Sequence, residues 1–342
     1  MAKPPLTARQ HQILWATVRS YIETAEPVGS KALAENYNLG VSSATIRNIL
    51  ATLEQHGFLF QPHTSAGRIP SDLGYRVYVD DLLAQGEIEP RPVPILEEQP
   101  SWNLDSLLRK AAQLLAGLSG CLAVVTAPQA AMVAIRHLQL LEVAAHRIMV
   151  VVVTDSYQTY SILVDVPQEE NWARDLPVLS NFLNYKLRGK TFADLQDLGW
   201  LQLDQEFRSY ASWLADLLAM LAQRYLKPRL GQVYTAGMTE LTRQPEFAQV
   251  QQLQAIFHLL EETPEALGTV LDPQPELVVY IGTENPLEPM RHCTLITASY
   301  TQGSQPLGSV AVLGPTRMVY EQALSSVQAT THYLSQTLSR CA

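Results

Sequence analysis

Residues 42–78 read SSATIRNILATLEQHGFLFQPHTSAGRIPSDLGYRVY, and the order of signals in that stretch decides the N-terminal fold. Ser42 or Ser43 is placed to cap a helix, and Ile46, Ile49, Leu50 and Leu53 then recur on one stripe, the face to be buried. The helix stops before Gly57, Phe58-Leu59-Phe60 begins a strand, Pro62 to Gly67 forms a loop, and Arg68-Ile69 returns. Ser71 caps a further helix that ends near Leu83. Upstream, Thr7 caps a helix over 7–25 carrying Ile13, Leu14, Val18, Tyr21 and Ile22, and Glu26-Pro27-Val28-Gly29 breaks it. Ser30 is expected to cap a short second helix through Lys31, Leu33 and Ala34 that ends around Asn38-Leu39-Gly40. Three helices followed by a polar hairpin predict a winged helix-turn-helix, with the third helix as the reader of a DNA major groove.

The chemistry of the exposed face agrees with that reading. Opposite the apolar stripe stand Ala44, Arg47, Asn48, Ala51 and Gln55, with Ser43 and Thr45 near the helix start. Arg binds guanine bidentately, Asn binds adenine bidentately, and Ala rests on a thymine methyl. Small residues at the helix start permit close approach, and the first amides are free for a phosphate. Ser30 and Lys31 are placed for the phosphate backbone, which positions a reader without specifying sequence. In the wing, His63, Thr64, Ser65 and Arg68 supply short donors and cations around the flexible Ala66-Gly67, a pattern an ordinary surface loop shares equally. Many helix faces carry an Arg and an Asn, so the helix alone would favour an ordinary solvated face; its place before a wing reverses that. Tyr75 and Arg76 fit two roles, packing the fourth helix against the wing or touching DNA.

With 342 residues and 47% hydrophobic content, the chain has enough apolar material for two or three cores. Net charge is −9, yet residues 1–85 hold seven Lys/Arg and seven Asp/Glu. The acidic excess therefore lies wholly in the remainder, and between Val41 and Pro70 Arg47 and Arg68 face Glu54 alone. A neutral reader on an acidic body is compatible with specific DNA binding. Cys121, Cys293 and Cys341 are far apart and in no CxxC arrangement, so neither a disulfide framework nor a zinc site is expected. No run reaches the ~20 apolar residues of a membrane span, and the start has no apolar signal core. A cytoplasmic protein without cofactor or metal is expected.

Residues 86–101, GEIEPRPVPILEEQPS, hold four prolines and no periodicity, and read as a linker. A helix follows over 104–118, then strand-like runs at Cys121–Thr126, Leu138–Ala144, Ile148–Thr154 and Thr159–Val166. The pattern turns helical from Asp175 through Leu195 and again over Phe207–Leu226, with Val233–Ala236 returning as a strand and Phe247–Glu262 as a helix. Strands at Leu277–Gly282, Cys293–Tyr300 and Ser309–Leu313 precede a last helix, Tyr320–Leu338. That order predicts a multi-domain α+β chain in which a helical block interrupts an α/β domain. The stripe Leu214, Leu217, Leu218, Leu221 and Tyr225 suits a partner helix, although any single stripe more often packs internally.

Enzymatic signals are thin. Gly117-Leu118-Ser119-Gly120 brings its last glycine one position too early for a nucleophile elbow, and Gly303 to Gly308 lacks the lysine of a phosphate loop. By contrast, TARQHQILWATVRSYIETAEPVGSKAL (7–33) and SSATIRNILATLEQHGFLFQPHTSAGRIPSDLGYRVYVDDLL (42–83) closely resemble the heat-inducible transcription repressor HrcA family. The likeness continues in LPVLSNFLNYKLRGKTFADL (176–195), Gln244-Pro245-Glu246-Phe247, IGTENP, HCTLITASY and LGSVAVLGPTRMVY. The resemblance implies a winged helix over 1–85, a GAF-like domain over 102–167 and 230–342, and an inserted dimerisation domain over 168–229. It further implies a homodimer that binds the CIRCE inverted repeat in double-stranded DNA, represses chaperone operons, and is kept active by the chaperonin GroEL. Val319 departs from the pattern, standing where an Asp commonly follows GPTRM and could pair with Arg317. The rival expectation is a winged-helix regulator that senses a small molecule through its GAF-like domain.

Overall fold

In the computed structural model the described residues are 6–63, 66–85, 103–129, 133–156, 158–166, 172–196, 210–226, 232–247, 250–261, 264–274, 276–303 and 305–341. The chain is a mixed α+β protein. Its first unit comprises α1 (Ala8–Thr24), α2 (Ser30–Asn36), α3 (Ser43–Gln55), a hairpin of β1 (Leu59–Phe60) with β2 (Ile69–Pro70), and α4 (Asp72–Gln85). Thr7 caps α1 through a capping box with Gln10, two otherwise orphaned amides being satisfied reciprocally. Ile13, Leu14 and Val18 of α1, Leu33 of α2, Ile46, Leu50 and Leu53 of α3, and Phe58 meet in one buried core.

A second sheet forms the centre of the body. After α5 (Leu104–Ser119), it takes β3 (Leu122–Thr126) and the later strands β7 (Val233–Ala236), β8 (Val278–Ile281), β9 (Cys293–Gln302) and β10 (Gln305–Pro315), ordered β7-β3-β10-β9-β8 and antiparallel throughout. Its inner strands β3 and β10 are buried on both faces, which is why they read as nearly continuous apolar runs. Period-2 alternation separates the faces: Ala123, Val125, Val310 and Val312 join the core shared with α5 and the last helix, α11 (Tyr320–Cys341). Leu122, Val124, Ala311 and Leu313 point the other way. They pack with Leu241 and Phe247, with Ile256, Leu259 and Leu260 of α9 (Val250–Glu261), and with Val270 and Leu271. Leu241 belongs to a short helix, α8 (Met238–Thr242), and the last pair to α10 (Gly268–Leu271), neither of which the sequence reading anticipated.

The third sheet is hydrogen-bonded separately from the second. β4 (Ile135–Ala144), β5 (Arg147–Thr154) and β6 (Thr159–Asp165) hydrogen-bond only with one another among the described strands. They share a core with α6 (Trp172–Leu187) and α7 (Ala211–Leu226), through Leu138, Ile148, Val150, Val152, Leu179 and Leu183. Residues expected to belong to the GAF-like part up to 167 therefore pack with the helices expected to start the insertion at 168. A sheet with one apolar face must bury it against the nearest helices that have a matching stripe, and here those follow it in sequence. The linker expected at 86–101 lies outside the described residues.

Candidate nucleic-acid interface

The site is built on α3. Ser42, in an extended conformation, caps it by accepting the Thr45 amide at 3.2 Å. The stripe Ile46, Leu50 and Leu53 is buried and Ile49 half-buried, so the helix can roll neither way. That leaves Ser43, Ala44, Thr45, Arg47 and Asn48 together on the exposed side. Among the described residues, no ion pair or hydrogen bond engages the Arg47 guanidinium or the Asn48 side-chain amide. The face thus presents an unengaged cation and amide on adjacent positions of the helix, with the first-turn amides of Ser43 and Ala44 lacking intrahelical acceptors. Lys31 extends into solvent beside Glu35 at 3.9 Å, both side chains largely exposed.

Other expected contacts sit differently. Ser30 is the first residue of α2 rather than its cap, the capping position being Gly29, and it is buried. Arg68 does not project from the hairpin: its Nε donates to Glu54 Oε2 at 2.9 Å, and its side chain is only 20% exposed. Its backbone also bridges Val28 in both directions, at 2.9 and 2.8 Å. Gly67 sits so close to this bridge that a Cβ would stand 2.5 Å from the Val28 carbonyl carbon. Gly67 and Arg68 therefore anchor the hairpin to the α1–α2 turn and to α3. His63 is exposed and the Ala66 amide donates to its carbonyl, closing the turn. Thr64 and Ser65 lie outside the described residues.

Tyr75 and Arg76 both contact the body. Tyr75 is buried with its ring 5.9 Å from that of Tyr320, and Arg76 is bonded to Glu284 and to the Val279 carbonyl, all on the body. Arg317 is bonded to Glu246 and Gln244, so its partner comes from the segment before α9 and not from position 319, where Val319 stands half exposed. The stripe expected to meet a partner helix packs internally: Leu214, Leu217, Leu218 and Leu221 are at most 1% exposed, and Tyr225 lies against Tyr160 and Phe192 with ring centroids 4.9 and 5.0 Å away. What the third sheet does expose is the outer side of its strands, where Leu141, Met149 and Leu163 stand opposite one another in register. Leu141 is 45% and Leu163 is 56% exposed.

Fold and site together define a mixed α+β protein that carries, on its N-terminal helical unit, an exposed polar face held by a small hairpin. Comparison with known proteins narrows this. The family model "HrcA protein C terminal domain" matches residues 105–324. The heat-inducible transcription repressor HrcA of Synechococcus sp. strain JA-3-3Ab is 51% identical over 98% of this chain and 100% of its own length. The protein of the same name from Synechococcus sp. strain JA-2-3B'a(2-13) is 52% identical with the same coverage. A crystal structure described as a hypothetical protein at 2.2 Å resolution shares the fold over 99% of this chain, with a TM-score of 0.67 and 23% identity. The chain belongs to the HrcA family of heat-inducible transcription repressors.

Proposed function

We propose that this chain is a transcription repressor of heat-shock genes that reads an inverted-repeat operator of the CIRCE type as a homodimer. The observation that carries the reading is the pair Arg47 and Asn48, unengaged and side by side on the exposed face of a capped helix beside a hairpin. The N-terminal unit is a winged helix on this account, α3 its recognition helix and β1–β2 its wing. Arg47 and Asn48 read base edges, Ser43, Ala44 and Thr45 set the approach, and Lys31 and His63 touch the backbone. One such helix reads only a few base pairs, so a useful specificity ratio requires two copies on a two-fold repeat.

Dimerisation falls to the inserted unit, residues 133–226. Its helix stripe is consumed by its own core, so the second copy is assigned to the outer face of β4–β6, where exposed Leu141 and Leu163 flank Met149. A two-fold axis through this row brings the same apolar patch of each copy together. The remaining body is read as the GAF-like domain. Small-molecule sensing through its sheet is disfavoured, because the side chains from α8, α9 and α10 already fill the face opposite α5 and α11.

Heat control fits an active dimer only a few kcal/mol below an inactive form, the usual margin of a folded protein, so that a chaperonin can set the active fraction. On this reading GroEL keeps the repressor active and diverting GroEL to other clients relieves repression. Reactivation of aged repressor by purified chaperonin with ATP is expected, and its failure would contradict this part. The reading as a whole is tested by titrating labelled inverted-repeat and scrambled duplexes across salt. Tight binding to the repeat alone supports it; equal weak binding to both contradicts it.

A further inference from the structure

The N-terminal unit is joined to the body by two kinds of contact with different mechanical properties. One is an aromatic ladder: Trp15 lies 4.5 Å from Tyr78, Tyr78 6.2 Å from Tyr320, and Tyr75 5.9 Å from Tyr320, centroid to centroid. Burial of such rings is strongly favourable and only loosely directional, and one hydrogen bond accompanies it, the Tyr78 hydroxyl donating to Glu321 at 2.6 Å. The other is polar and directional. Asp72, the first residue of α4, accepts the Thr283 amide at 2.9 Å and the Thr283 hydroxyl at 2.8 Å. One turn on, Arg76 donates through Nε to Glu284 Oε1 at 2.9 Å, pairs with Oε2 through its terminal nitrogen, and donates to the Val279 carbonyl at 2.6 Å. Glu284 is itself held in place by the Ile281 amide at 2.9 Å.

The receiving segment is shaped for this. Gly282 has φ +53°, and a Cβ there would strike the Asp72 carboxylate, so the turn after β8 needs a glycine on both counts. Ser71 alone separates Asp72 from β2, and Tyr75, Tyr78 and Val79 of the same helix lie in the core that contains Ile13 and Ile46. A rotation of α4 on the body therefore carries the hairpin and α3 with it. In a two-fold dimer such a rotation changes the separation and tilt of the two reading helices, the quantity to which half-site spacing is matched.

We infer that Asp72, Arg76, Thr283 and Glu284 form the joint that fixes the angle of the reading unit on the body, and so the half-site spacing the protein accepts. They are positioning residues: none touches DNA, and their effect is on the geometry of a pair of readers. This rests on the repressor reading above.

The test uses the full-length protein and a series of duplexes that carry the same two half-sites with the spacer lengthened or shortened by one or two base pairs, together with a single half-site and a scrambled duplex. Wild type is expected to bind one spacer best. In Arg76→Gln with Glu284→Gln the preference for that spacer falls by about tenfold, the scale of a lost charge-assisted hydrogen-bond pair. Affinity for the single half-site stays unchanged, because the reading helix is untouched. Asp72→Asn attacks the same joint from its other end, so it decides the matter if the double variant loses half-site binding through misfolding. Spacer profiles in the variants that superimpose on wild type overturn the joint, as does a wild type that accepts every spacer equally. A wild type that fails to distinguish the repeat from the scrambled duplex overturns the repressor reading itself.

Discussion

At the scale of single residues, the proposed reading face depends as much on which charges are tied down as on which are free. Arg47 and Arg68 look equivalent in the sequence, two cations near one acidic residue. The structure spends Glu54 on Arg68 and leaves Arg47 without a counter-charge among the described residues. Sequence could not show this, because Glu54 and Arg68 are brought together only when the hairpin folds back along α3. Replacing Glu54 by Gln releases Arg68 toward the DNA, and the salt dependence of non-specific binding should steepen by roughly one phosphate contact per monomer. An unchanged slope in a salt titration would mean that Arg68 stays anchored by its backbone bridge to Val28 alone. Tyr75 makes a second residue-scale case: its hydroxyl is buried without a hydrogen-bond partner among the described residues. Tyr75→Phe should be neutral or stabilising by up to about 1 kcal/mol, since it removes an unsatisfied polar atom and keeps the ring. A clear loss in denaturant unfolding would show that the hydroxyl has a partner in solution.

At the scale of elements, the helices and strands are where the sequence spoke most plainly, because each carries its period on its surface. α3 begins within a residue of its expected cap, β7 falls at Val233–Ala236 as read, and the start of α11 coincides with Tyr320. Short elements were not legible: α8 and α10 are five and four residues long, too short for a 3.6-residue period to declare itself. Nor could periodicity say which partner a stripe would choose. Leu214, Leu217, Leu218 and Leu221 form the expected amphipathic stripe, but they join the core of their own unit. Leu218→Ala should consequently destabilise this unit by about 2–5 kcal/mol, the range for a truncated core leucine. Thermal unfolding would register it, whereas a change in dimer affinity with unchanged stability would restore the stripe to the interface.

At the scale of the whole molecule, the proposed dimer is placed on the outer face of β4–β6, where Leu141 and Leu163 remain exposed after the described helices have packed. Leu163→Asp is expected to give folded monomers, with sedimentation showing the halved mass and circular dichroism unchanged. A dimer that persists would move the interface elsewhere. Which strands share a sheet was the least legible feature, since both sets appear in the sequence simply as successive apolar strand-like runs, and only three-dimensional pairing separates them. The central claim, that α3 reads bases in a repressor's operator, is tested most directly by comparing wild type with Arg47→Ala and Asn48→Ala on the inverted repeat and on a scrambled duplex. Each variant should lose about 1–3 kcal/mol of affinity for the repeat while binding the scrambled duplex as wild type does. Equal losses on both duplexes, or none on the repeat, would contradict the account.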